Sequence, residues 1–266
     1  MTYRGRFAPS PTGPLHLGSL VTALASYLDA RAHGGTWLVR MEDVDLPRCV
    51  PGADRLILET LRRFGFESDE PVVCQSARTE LYRTAVNQLR EEGWAYPCSC
   101  SRKETGGGPY PGTCRTGPKH PERTLSWRVR FDDPSHSALG DFVLLRSDGL
   151  FSYQLAVVVD DADQGITHVV RGADLLDSTP WQNWLQKLLG YPSPVYRHVP
   201  VVTNSAGEKL SKQTQAQPLD PARAPQLLRD ALRFLGQPDV DAESPQEILH
   251  AATLQWRWRI PAPAWL

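Results

Sequence analysis

The stretch from Tyr3 to Met41 limits the fold more than any other part of the chain. Residues 3–8 read as a short strand that stops at Pro9-Ser10-Pro11-Thr12-Gly13-Pro14, where prolines remove the amide donors that regular structure needs. Leu17, Leu20, Leu24, Tyr27 and Leu28 then recur at helical spacing until Gly34-Gly35 ends the pattern. Residues 36–41 alternate, with Trp37, Val39 and Met41 set against Leu38 and Arg40. Strand, helix and strand in so short a span make a βαβ unit, which predicts an α/β chain built on a parallel sheet.

Two further helices are expected near residues 54–64 and 79–93, the second through Leu81, Tyr82, Val86 and Leu89. From 98 to 122 periodicity disappears, and glycine, proline and cysteine dominate, as in an inserted module. Strand patterns return at 126–131, 142–146, 155–160 and 166–171. A helix follows, with Thr179 as N-cap, Pro180 at the first helical position, and Trp181, Trp184, Leu185 and Leu188 on one face before Gly190. Leu227, Leu228, Ala231, Leu232 and Leu235 mark another helix, and Ser244-Pro245-Gln246-Glu247 is a capping box for a last one. The expected organisation is a sheet domain in two halves, 1–95 and 141–195, split by a module at 96–140. A lysine-bearing loop and short helical region follow at 196–266.

Composition excludes several classes of function. The longest apolar run, 155–159, is too short to cross a bilayer, and no hydrophobic export segment opens the chain, so a cytoplasmic protein without membrane contact is expected. A net charge of −1 excludes a generic polyanion binder, so any nucleic acid must be met by a local basic patch. Arg102, Lys103, Arg115, Lys119, Arg123, Arg128 and Arg130 are a candidate patch, opposed by Glu104 and Glu122. Five cysteines without export argue against a disulfide framework, and the Cys98-x-Cys100 pair points towards metal. Cys49 and Cys74 lie apart from that pair and read as ordinary thiols. No coiled-coil pattern is present, and a monomer is expected.

Two stretches carry the chemistry. Leu15-His16-Leu17-Gly18-Ser19 follows the first strand and opens a helix, so His16 and free backbone N–H groups face the place where an anion can sit. Gly18 lets a nucleotide approach the backbone. Glu208-Lys209-Leu210-Ser211-Lys212-Gln213 offers lysines able to neutralise triphosphate charge. His16-Leu17-Gly18-Ser19 resembles the "HIGH" motif of class I aminoacyl-tRNA synthetases, and Lys209-Leu210-Ser211-Lys212-Gln213 resembles their "KMSKS" loop. Ser19 and Gln213 depart from those patterns.

The resemblance narrows to the glutamyl/glutaminyl branch through residues 6–13 (RFAPSPTG), 40–45 (RMEDVD), 153–161 (YQLAVVVDD) and 167–174 (THVVRGAD). It implies a Rossmann-like class I catalytic core in which His16, Gly18, Lys209 and Lys212 are catalytic and His16, Gly18 and Lys212 contact ATP. It also implies a glutamate pocket of Arg6, Ala8, Ser10, Glu42, Tyr153 and Arg171. That set makes chemical sense, because arginine forks suit carboxylates and an acid suits the ammonium group. Asp43 and Asp45 are equally readable as helix caps.

The chain continues only about fifty residues past the lysine loop, which leaves no room for the anticodon-reading region of a full-length glutamyl-tRNA synthetase. It therefore resembles a short branch of the family that attaches glutamate to queuosine in the anticodon of tRNA(Asp). In that branch Cys98, Cys100, Tyr110 and Cys114 correspond to a structural zinc site. The implied reaction uses ATP with Mg²⁺ to form glutamyl-adenylate, then passes glutamate to tRNA(Asp) carrying queuosine. Three other readings stay open: a compact glutamyl-tRNA synthetase charging the acceptor end, a cofactor nucleotidyltransferase, and a non-catalytic RNA-binding paralogue.

Overall fold

The computed structural model describes residues 2–136, 138–203 and 217–259. In chain order the elements begin with β1 (Arg4–Phe7), α1 (Leu17–Ala32), β2 (Thr36–Met41), α2 (Ala53–Arg63), β3 (Val73–Cys74) and α3 (Thr79–Glu91). Then come β4 (Ala95–Cys98), β5 (Ser126–Val129), β6 (Phe142–Leu145), α4 (Tyr153–Asp163) and β7 (His168–Gly172). The last are α5 (Thr179–Leu189), β8 (Val195–Val199), α6 (Ala224–Phe234) and α7 (Pro245–Gln255). They form two compact units: Met1–Cys74 with Gly165–Leu176 and Pro194–Leu266, and Gln75–Gln164 with Asp177–Ser193.

The first unit is the parallel α/β part. β1 pairs with β2 and β2 with β3, while β7 pairs with β8, all parallel. The Thr167 N–H donates to Arg4 O at 3.0 Å, which sets β7 against the free side of β1. Phe7, Trp37, Val39, Met41, Val170 and Val199 point to one face and join the main core with α1. Helices α6 and α7 close that core from beyond α1 with Leu228, Ala231, Leu232, Ile248, Leu249 and Ala252. Helix α1 is therefore buried on nearly all sides and carries Leu20, Val21, Leu24 and Leu28 rather than a narrow stripe. Burying a leucine of this kind contributes about 2 kcal/mol. Gly35 has a steric reason: a Cβ there would lie 2.5 Å from Tyr3 O.

The second unit joins an antiparallel sheet, β4-β5-β6, to helices α3, α4 and α5. Here the sequence reading needs correcting. Residues 155–160, expected as a strand, lie inside α4, where Leu155 to Asp161 are all buried. A short unbroken apolar run has no period and fits a buried strand or a buried helix equally. Ser152, whose side chain accepts from Leu155 N at 3.4 Å, caps the helix and was the overlooked signal. Arg78 and Gln75 donate to Asp160 at 2.6 and 2.7 Å and Tyr82 at 2.8 Å, so the helix carries a buried acid with its partners. Helix α5 begins one residue earlier than expected, with Ser178 as N-cap, and ends at Gly190, whose φ of 69° suits glycine. Strands β3, β4 and β8 were not foreseen. Among the described residues no helix is long and apolar enough to cross a membrane.

Candidate functional site

Because side chains alternate across a pleat, the core residues of the first unit also say what faces the other way. Leu38, Val169 and Tyr196 form a small cluster with Ile166 on the face opposite α1. Arg6, Arg40 and Glu42, Arg171, and His198 have the same parity as that face on β1, β2, β7 and β8. Arg6, Arg40 and Arg171 are 3%, 0% and 3% exposed. Burying three guanidinium groups on one face is costly unless anionic partners or ligands meet them. The strands are parallel, so Arg6, Glu42 and Arg171 gather towards their shared carboxyl ends, where open α/β sheets bind ligands.

The proline-rich turn after β1 tightens this end. Glu42 N donates to Pro9 O at 2.9 Å and Val50 N to Pro11 O at 2.9 Å, so the proline-rich turn is stitched to the segment after β2. Ala8 and Ser10 continue the parity of Arg6 along that turn, with Ser10 exposed. Arg40 lies 3.4 Å from Glu42 and steadies its carboxylate. Asp45 stands at the cap position of a short 3-10 turn but makes no capping bond, and instead holds Arg48 at 2.8 Å. Tyr153 is the first residue of α4, in the second unit.

His16 is the N-cap of α1. Its Nδ1 accepts from Gly18 N at 3.1 Å, and its own N–H meets Ser19 Oγ at 3.4 Å. With Nδ1 as the acceptor in this capping box, the Nε2 edge of the ring is the one left to donate. The departure at Ser19 thereby has a structural meaning, since the serine completes the cap. It also corrects one expectation: the Gly18 N–H is not free for an anion, because the histidine takes it. Lys209 and Lys212 lie outside the described residues.

Arg171 Nε donates to His198 Nε2 at 3.2 Å, and the Tyr196 ring lies under the guanidinium at 4.8 Å. Burial, reinforced by Arg171, pushes the His198 ring down to about 4, against the pull of Asp174, so it is neutral at physiological pH. Neither Tyr196 nor His198 was singled out from the sequence. They fall in Val195–Val199, a short alternating stretch flanked by Pro192, Pro194 and Pro200 that the sequence reading passed over.

In the second unit Cys98, Cys100 and Cys114 place their sulfurs within 4.8 Å of one another. The Tyr110 hydroxyl lies 3.3 Å from Cys98 Sγ and 3.4 Å from Cys100 Sγ, and Cys100 and Cys114 sulfurs are 3.6 Å apart. A tetrahedral zinc with Zn–S of about 2.3 Å needs S–S edges of about 3.8 Å and S–O edges of about 3.5 Å, so the donor set fits. Burial pushes the Cys114 thiol up, but hydrogen bonds from Tyr110 and the Lys119 and Ser99 backbone outweigh it and bring it to about 6. Asp141 ties this loop to the sheet by accepting from Arg115 Nε at 2.7 Å, Phe131 N at 2.9 Å and Tyr96. The basic patch is smaller than the sequence suggested. Arg115 is bound to Asp141, Arg123 to Glu104 at 2.8 Å, and Arg128 lies over the Tyr110 ring at 4.0 Å. Arg102, Lys103 and Lys119 remain exposed.

Comparison with known proteins follows the same lines. The profile of the family "tRNA synthetases class I (E and Q), catalytic domain" matches residues 2–106 and 121–252. A Glutamyl-Q tRNA(Asp) synthetase from Cupriavidus metallidurans is 55% identical, over 98% of this chain and 93% of that protein. A Dechloromonas aromatica protein of the same name is 55% identical over 96% and 92%. Among solved structures, a glutamate-tRNA synthetase from Elizabethkingia anophelis superposes with a TM-score of 0.77 at 26% identity, covering 97% of this chain and 66% of that one. A glutamate tRNA ligase from Elizabethkingia meningosepticum, in complex with its amino acid, gives 0.68 at 29% identity, over 80% of this chain and 52% of that one.

Proposed function

Because the chain belongs to the class I tRNA synthetase family of the glutamate and glutamine type, and is an aminoacyl-tRNA synthetase-like ligase, we propose that it activates glutamate with ATP and transfers it to the queuosine base of tRNA(Asp). One observation carries the first half: Arg6, Glu42 and Arg171 share one face of a parallel sheet at its ligand-binding end. Two guanidinium groups and one carboxylate complement a substrate with two carboxylates and one ammonium. Ala8 and Ser10 border the proposed pocket, and Tyr153 is assigned to glutamate by resemblance alone. The second half rests on the likeness to relatives named for that tRNA and that base.

In the first step a glutamate carboxylate oxygen attacks the α-phosphorus of ATP in line, giving glutamyl-adenylate and pyrophosphate; Mg²⁺ accompanying ATP would offset part of its charge. The Nε2–H of His16 and the start of α1 stabilise charge that develops on the phosphate, and Lys209 and Lys212 neutralise the departing pyrophosphate. In the second step a hydroxyl of the queuosine cyclopentene ring attacks the activated carbonyl and displaces AMP. The adenylate is a mixed anhydride with a good leaving group, so positioning supplies much of the acceleration. Cys98, Cys100, Tyr110 and Cys114 are proposed to hold a structural zinc, since four protein ligands leave no position open for substrate.

Glutamate-dependent ATP–pyrophosphate exchange without tRNA tests the first step. The wild-type protein is expected to exchange, and His16→Ala and Lys212→Ala to lose roughly a hundredfold or more. Full exchange in both variants would remove those residues from the mechanism, and exchange without glutamate would favour a cofactor nucleotidyltransferase.

A further inference from the structure

We propose that His198, with Tyr196 beneath, is a positioning residue that fixes the Arg171 guanidinium for a substrate carboxylate; this rests on the reading of Arg171 as part of the glutamate pocket. The two residues are register partners on β7 and β8, so the contact is built into the sheet rather than made by a loop. Arg171 is 3% and His198 5% exposed, and Nε to Nε2 is 3.2 Å. The aromatic face of Tyr196, 4.8 Å from the guanidinium carbon, restricts rotation in the other direction.

The chemistry of the acceptor is what makes this pairing informative. A carboxylate at the same place would hold the arginine but cancel part of its charge. A neutral imidazole fixes the Nε side of the fork and adds no negative charge of its own beside the arginine. Accepting through Nε2 puts the ring proton on Nδ1. That atom is buried and has no hydrogen-bond partner among the described residues. A buried donor left unpaired lowers stability, and a phenylalanine would fill the same space without that cost. The position therefore carries a histidine for its contact with Arg171 rather than for packing.

Kinetics of glutamate-dependent exchange, with glutamate-induced thermal shift as a second readout, test the assignment. His198→Phe fills the space without an acceptor, and His198→Asn carries an amide too short to reach Arg171. Each is expected to raise the KM for glutamate about tenfold or more while the KM for ATP stays put, a loss of binding specific to one substrate. His198→Gln places an amide oxygen near the Nε2 position and is expected to restore glutamate KM to within about threefold of wild type. If both Phe and Asn variants fold and keep wild-type glutamate KM and thermal shift while Arg171→Ala loses them, the positioning role is wrong and the pocket stands. If Arg171→Ala itself leaves glutamate KM unchanged, the pocket assignment fails and takes this proposal with it.

Discussion

Asp29 is fully buried in α1, and its carboxylate accepts from Tyr3 OH at 2.6 Å, Arg197 at 2.7 Å and Trp256 Nε1 at 3.0 Å. One side chain thus joins the residue before β1, strand β8 and the residue that follows α7. No sequence pattern announced it, because its partners lie 26, 168 and 227 positions away. The Tyr3 ring also stacks on those of His168 and His33, at 3.9 and 5.1 Å. Asp29→Ala should lower stability in urea by about 2–4 kcal/mol, since it leaves a partly buried guanidinium and two donors unpaired. His198 predicts a pH effect. Its folded value of about 4 lies below the ordinary 6.5, so the unfolded chain binds the proton first. Stability from this group is full above 6.5 and is lost as pH falls towards 4. The groups acting on it are Arg171, Asp174 and the Tyr196 ring. Urea midpoints at pH 7 and pH 5 should show His198→Gln losing less stability than wild type, by on the order of 2 kcal/mol. Equal losses would contradict the assignment.

Local signals served the elements well where a period or a cap was present. The first βαβ unit, α2, α3, α5, α6 and the capping box of α7 were all legible, because each has a face or a cap written into its residues. Ser244 accepts from Glu247 N at 3.3 Å, as that box requires. Helix α4 was misread because tertiary burial on all sides erased its period. The cysteine module was legible as an aperiodic insertion, but Asp141, which anchors it, was not, since an isolated aspartate carries no pattern. Burial pushes the Asp141 carboxyl up, yet Arg115, Tyr96 and the Phe131 amide outweigh it and hold it below the ordinary value. This module should depend on metal. Cys98→Ser is expected to lose stoichiometric zinc by elemental analysis, with lower thermal stability of the second unit. A wild-type protein that is folded and metal-free would contradict the zinc proposal.

At the scale of the whole molecule, resemblance supplied what residue patterns cannot. Parity and strand ends bring Arg6, Glu42 and Arg171 to one face, which the βαβ pattern already implied for the first two. Arg171 needed β7 placed beside β1, a long-range pairing that periodicity does not encode. The proposal for glutamate rests on that face, whereas the proposal for the acceptor rests on the likeness to relatives. The proposed glutamate specificity belongs to this scale as well: Glu42→Gln should raise the KM for glutamate by about tenfold through loss of the proposed ammonium contact, with ATP unaffected in the exchange assay.

Transfer of radiolabelled glutamate to purified tRNA(Asp), prepared with and without queuosine, tests the central claim most directly. The account predicts label only on the queuosine-bearing tRNA, retained after removal of the 3′-terminal nucleotides. Equal labelling of both tRNAs, lost when the 3′ end is removed, would contradict it and make the protein an enzyme of the acceptor end.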